Sequence, residues 1–271
     1  LDSGAAINIE PASGSAILLD GTISIDAGVV TGATSVTSTA FVGNLTGTVA
    51  TATQNSITTM TGLTVVGAAG TSTTLAGIPH LTEDNSIYIG SSPTASSDTA
   101  ADNVAIGMGA IDAITTGDKN IAIGRNAGGA LTTGDRNVFI GSESGDAATE
   151  ASQNTGVGND AFTSLTDGDH NVGIGVNVFA ALTTGNRNIS IGQTSSDGFD
   201  TENDNLAIGT GALGGPVAGG EYNVAIGNYS LDALTSADNN TVLGYQAGSG
   251  LTDGGYNVLI GKDAGLVTNG G

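Results

Sequence analysis

The chain has no cysteine and no tryptophan, and only 4 prolines, 5 phenylalanines and 5 tyrosines in 271 residues. Without cysteine there is no disulfide framework, thiolate metal site or cysteine nucleophile. Basic residues number 5 against 26 acidic ones, a formal net charge of −21. Nucleic-acid affinity comes from Lys and Arg neutralising phosphates, so this composition excludes nucleic acid as a partner. No apolar run reaches the roughly 18 residues that span a bilayer as a helix, so membrane insertion is not expected. The chain starts at Leu1 with no signal-peptide pattern, and reads as processed or as part of something longer.

Glycine is what the chain has in excess, with 45 residues, alongside Ala, Val, Ile, Leu and Thr. The mean hydropathy is +0.13 and only 11% of residues are charged, which is unlike a disordered chain. Large side chains for a thick core are scarce. Small and β-branched residues suit thin, regularly stacked strands, and a compact enzyme fold is not expected.

An internal repeat carries the architecture. Asn103-Val-Ala-Ile-Gly107 returns as Asn120–Gly124, Asn137–Gly141, Asn154–Gly158, Asn171–Gly175, Asn188–Gly192, Asn205–Gly209, Asn223–Gly227, Asn240–Gly244 and Asn257–Gly261. Ser86-Ile-Tyr-Ile-Gly90 is a degenerate first copy. The glycines step by 17 residues, except for one step of 18 between Gly209 and Gly227, where Gly214-Gly-Pro216 and Gly219-Gly220 offer a loop. Within each copy, larger aliphatic residues flank a usually smaller one, as in Val104-Ala105-Ile106, the period-two alternation of a short strand. Three residues past the glycine a small residue recurs (Ala110, Ala127, Ala161), and seven past it an aliphatic one (Ile114, Leu131, Leu165). Corners such as Thr132-Thr-Gly134 and Thr166-Asp-Gly168 follow.

Seventeen residues are too few for a strand–helix unit and enough for two short strands and two corners. The expected fold is all-β, a parallel β-solenoid or β-roll of about eleven 17-residue rungs. Rungs stack at about 4.8 Å, so each Asn lies over the next and their amides form a hydrogen-bonded ladder. The Asn and Gly positions are therefore read as structural rung positions. One coil buries few side chains, so several coils packed side by side are expected.

Residues 1–82 read differently, as a β-rich fibrous shaft or connector ahead of the repeat domain at 83–271. Ile7–Ile9, Ile17–Leu19 and Ile23–Ile25 alternate as strands, with Asp20-Gly21 as a hairpin turn between the last two. From Ala27 to Thr82 there is no charged residue, and such β-prone sequence is protected by intertwining with identical chains. Most of the five basic residues (Lys119, Arg125, Arg136, Arg187, Lys262) sit beside the Asn–Gly strand, where they offset neighbouring carboxylates.

Nothing marks a catalytic constellation. Acidic residues fall at loop positions such as Asp118, Asp135, Asp169, Asp197 and Asp238, with no pair singled out for glycan cleavage. His80 lies beside Pro79 at the proposed boundary, and His170 fills the slot that Lys119 and Arg136 occupy in other copies. Asp197-Gly-Phe-Asp200 and Thr201-Glu-Asn-Asp204 offer oxygen ligands of the kind calcium takes, but no metal or cofactor is assigned.

The Asn-Val-Ala-Ile-Gly strand is similar to the head repeats of YadA-like trimeric autotransporter adhesins. The 17-residue form, with Leu-Thr-Thr-Gly and Gly244-Tyr-Gln-Ala-Gly248, resembles repeats in tail fibres of marine bacteriophages. Phe41-Val-Gly-Asn-Leu-Thr-Gly47 resembles shaft segments of such fibres. The resemblance implies a left-handed roll, a homotrimer, and a virion tail fibre outside the cell. Its partners would be other phage tail proteins and a host cell-surface receptor such as a glycan, in host attachment or in carrying a receptor-binding tip. A bacterial adhesin head and a glycan-degrading tailspike are the alternatives. The expected role is structural and non-enzymatic.

Overall fold

The computed structural model describes residues 73–75, 78–83, 85–90, 99–215 and 219–266. The strands expected at Ile7–Ile9, Ile17–Leu19 and Ile23–Ile25, with most of the expected shaft, lie outside the described residues. Among those described there is no helix. Thirteen strands form one sheet in sequence order: β1 (Thr73–Leu75), β2 (Ile78–Glu83), β3 (Ser86–Ile89), β4 (Val104–Ile106), β5 (Ile121–Ile123), β6 (Val138–Ile140), β7 (Thr155–Val157), β8 (Val172–Ile174), β9 (Ile189–Ile191), β10 (Leu206–Ile208), β11 (Val224–Ile226), β12 (Thr241–Leu243) and β13 (Val258–Ile260). From β3 to β13 every pairing is parallel and in register, as in Val104 opposite Ile121, so the chain is a β-solenoid of about ten turns. At the N-terminal end, β2 pairs antiparallel with β1 and β3, so a meander covers that edge of the parallel stack.

From β4 on, each rung has one three-residue strand and not two. The expected second strand is a run of turns, because alternate residues take left-handed φ. Asn126 (54°) and Gly128 (56°) do so in one rung, Asn177 (54°) and Phe179 (52°) in another. Such a backbone curls and cannot extend, yet its amides still bond between rungs. Asn126 N–H donates to Met108 O, and Gly128 N–H to Ser144 O. Left-handed φ at Phe162 and Phe179 costs about 1–2 kcal/mol each. Full burial of each ring returns about 1.5–3 kcal/mol, so the aromatic positions hold.

The strand glycines close each rung tightly. Their φ runs from 123° to 147° between Gly107 and Gly261, a region that L side chains avoid. At Gly158 a side chain would also run into the carbonyl oxygen of Gly175 on the next rung.

The core fills by size compensation between two inward columns, the strand centre and the fourth residue past the glycine. Phe139 at the centre faces Gly145; Gly156 faces Phe162; Gly173 faces Phe179; Leu259 faces Gly265. The rings stack along the solenoid, with Phe162 and Phe179 centroids 5.1 Å apart. A Cβ on Gly173 would stand 2.6 Å from Phe162 Cε2. Gly173→Ala is therefore expected to destabilise by about 1–3 kcal/mol through overpacking. Adding Phe162→Leu should recover part of that loss, which denaturation midpoints of the two variants will report.

Candidate functional site

The inward column of the strand carries mostly small residues, with Phe139, Val242 and Leu259 as the large ones. Ala105, Ala122, Phe139, Gly156, Gly173, Ser190, Ala207, Ala225 and Val242 are buried at the centre of β4 to β12. The larger flanking residues point outward. Ile106, Ile121, Ile123, Ile140, Ile174, Ile189, Ile191, Leu243, Val258 and Ile260 are exposed, as is Thr241, and the other flanking residues of β4 to β13 are half-buried. Stacked in register, they make an apolar band two side chains wide, continuous along the Ile106-to-Ile260 column and interrupted along the other by Thr155 and Thr241.

The charges around this band are unlike the rest of the chain. Lys119, Arg136 and Arg187 occupy the residue just before the Asn, and Arg125 and Lys262 the residue just after the Gly. These two columns thus hold all five basic residues and only two of the 26 acidic ones, Asp102 and Asp204. Arg187 makes a two-pronged pair with Asp204 at 2.7 Å, which lowers the aspartate pKa; Arg125 pairs with Glu143. The remaining acidic residues lie on turns and corners or ahead of the repeats.

Beneath the band runs the asparagine ladder. Each Asn Oδ1 accepts the backbone N–H of the next Asn, as Asn137 Oδ1 does from Asn154 at 3.0 Å. Nδ2 donates to a corner carbonyl, as from Asn154 to Gly168 O at 2.8 Å. The ladder runs from Asn103 to Asn257 and crosses the 18-residue step without a break, Asn223 N–H reaching Asn205 Oδ1 at 3.0 Å. A second ladder was not anticipated. Asp118, Asp135 and Asp169 each accept a backbone N–H from the preceding rung at 2.7 Å. Asp238 does the same for Glu221 at 2.8 Å. The signal for it was an Asp, Asn or Ser recurring two residues before the Asn in seven of the ten copies.

The fifth residue past the glycine forms an acidic column of half-buried Asp112, Asp146, Asp197 and Asp232. Thr163, Ala180, Ser249 and Leu266 stand in the same column, and Gly129 and Gly214 each leave a hollow between two of the aspartates. One is lined by Asp112, Asn126, Gly129 and Asp146, the other by Thr194, Asp197, Gly211, Gly214, Tyr229 and Asp232. Burial holds the Asp146, Asp197 and Asp232 carboxyls above the usual range, and Glu143 and Asp160 add to the effect at Asp146. The folded protein therefore binds these protons more tightly than the unfolded chain. Stability is expected to rise as pH falls from neutrality through the raised values toward the unfolded value of 3.8, and to be lost on the way back up. The Asp204 effect has the opposite sign but is solvent-screened. Thermal midpoints between about pH 7.5 and pH 5 check this, and Asp146→Asn should raise the midpoint at the neutral end.

The other sequence candidates do not converge. His170 is exposed in its left-handed slot, and His80 lies in β2 opposite Thr73 and Ile89. Asp197 lines a hollow, Asp200 accepts from Thr183 Oγ1 at 2.6 Å, and Asp204 holds Arg187. Glu202 is buried and caps the backbone N–H groups of Thr201 and Gly219. Among the described residues no three His, Asp or Glu side chains are placed to share a metal ion. No protein-family model, curated protein or solved structure matches this chain.

Proposed function

We propose that this chain is a structural segment of a trimeric phage tail fibre, serving host attachment or carrying a receptor-binding tip. The outward strand band would pack around the three-fold axis, and no reaction is assigned to it. The observation that carries this reading is the band itself, running over β4 to β13 and bordered by every basic residue in the chain. With rungs about 4.8 Å apart and strands about 10 Å long, it covers on the order of 500 Å². Apolar patches of that size on a soluble surface mark interaction sites.

Electrostatics favours a copy of the same chain at this face. Each copy carries −21, so contact through acidic turns would set carboxylates against carboxylates. The band is where like chains repel least, and salt screens the rest beyond about 8 Å. Light scattering of the full chain in seawater-like salt tests the reading. A mass near three times 26.2 kDa supports it, and a stable monomer rejects it.

A further inference from the structure

The residue just before the Asn is left-handed in all ten copies of the repeat, with φ between 56° and 62° from Asp102 to Tyr256. Glycine takes this conformation freely, and Asn or Asp at little cost. Yet glycine fills none of the ten places, in a chain with 45 glycines. Tyr222 and Tyr256 suit the slot least, and burial does not offset the cost as it does for Phe162 and Phe179. They are 55% and 83% exposed. Strain kept without packing in return points to a role for the side chain outside the fold. The wider pattern agrees: four of the five tyrosines are exposed, and all four stand in the last three copies. Tyr229 and Tyr245, past the Gly, meet edge-on at 6.3 Å, and Lys262 lies 5.9 Å from the Tyr245 centroid. Before the Asn, parallel pairing from β11 to β13 puts Tyr222, Asn239 and Tyr256 in register, the tyrosines two rungs or about 10 Å apart.

We propose that Tyr222, Asn239 and Tyr256 bind an uncharged, extended polysaccharide of β-1,4-linked pyranoses, lying along the solenoid axis. A tyrosine ring offers an apolar face that stacks on the C–H face of a sugar, and a hydroxyl at its edge. In an extended β-1,4-linked chain each pyranose advances by nearly one rung step and is turned over relative to the last. Alternate sugars therefore present the same face, and two tyrosines two rungs apart match that repeat. The Asn239 amide between them has donors and an acceptor for the hydroxyls of the middle sugar. The column asks no charge of the ligand, since Arg187 and Asp204, its two preceding places, pair with each other at 2.7 Å. A polyanion is disfavoured by the net charge of −21. The inference needs residues of one chain only and does not rest on the trimer.

The test titrates cellopentaose into the full chain in seawater-like salt, followed by calorimetry and by tyrosine fluorescence, which no tryptophan obscures. Saturable binding around 1 mM is expected, weakened at least tenfold in Tyr222→Asn and in Tyr256→Asn. Both variants should melt at or above the parent's temperature, because Asn suits the left-handed slot better than Tyr. Tyr245→Leu, on the other side of the band, should bind as the parent does. Cellobiose is too short to reach both tyrosines, and the α-1,4 linkage of maltopentaose curves its chain, so each should bind at least tenfold more weakly. Absence of saturation, indifference to either Asn variant, or equal binding of cellobiose or maltopentaose overturns the proposal. So does a drop in melting temperature that accompanies the loss of binding, which would assign the tyrosines to the fold. A fall in native mass in the Asn variants overturns it too, by making the tyrosines contacts between copies. The parent's native mass, read on the same samples, tests the trimer separately.

Discussion

Asn154→Ala is expected to cost about 3–5 kcal/mol, with the damage spreading along the solenoid in both directions. The side chain is fully buried, and its removal leaves two groups stranded. Asn171 N–H loses Asn154 Oδ1 at 2.9 Å, and Gly168 O loses Asn154 Nδ2 at 2.8 Å. Each buried unsatisfied group costs about 1–3 kcal/mol, and the cavity adds to it. Asn154→Asp should be worse at neutral pH, because a carboxylate oxygen would face Gly168 O and Ser152 O. It should recover in acid, when the protonated carboxyl can donate again. Repeat proteins are held by nearest-neighbour terms, so a weak rung divides the stack. Hydrogen exchange will read this directly: amides of β7 and β8 should lose protection first, with β4 and β12 following. Uniform loss of protection from end to end would contradict the rung-by-rung account.

The spacing of Asn and Gly in the sequence was enough to read the solenoid, its parallel register and the ladder, because those depend on one residue type returning every 17 positions. Other features depend on relations between columns. Val104-Ala105-Ile106 alternates equally well with either face inward. Only the left-handed turns, which bring Ala110, Ile111 and Ile114 beneath Ala105, turn the small residue inward. The turns themselves escaped notice because Asn126, Asp160 and Gln246 look like ordinary loop residues, while Phe162 and Leu231 look like strand residues. Size compensation was equally hidden, since Phe139 and Gly145 carry no repeat signal alone. The hollow between Asp197 and Asp232 exists because Gly214, on the rung between them, has no side chain. Such a hollow is visible only when the columns are aligned and the gap is seen as space.

The outward band should respond to charge as an interface and not as a solvated surface. Ile123→Lys with Ile174→Lys places two ammonium groups in β5 and β8, on side chains already exposed in the single chain. Surface substitutions of this kind usually move stability by less than about 0.5 kcal/mol. If the band faces solvent, both native mass and melting should stay close to the parent's. If it packs on two copies of itself, six lysines converge on one axis without partners, and leaving a buried charge unpaired costs about 3–5 kcal/mol each. The expected result is dissociation to a 26.2 kDa species in seawater-like salt. That species should keep its β-type circular dichroism, because the asparagine ladder and inward columns are untouched. Val176→Lys, on the residue just after the Gly and outside the band, gives the comparison. It adds positive charge to an acidic chain and should leave the mass unchanged. Lowering the salt should weaken the parent assembly, because the acidic turns of neighbouring copies are then less screened, and should leave a monomeric variant unaffected.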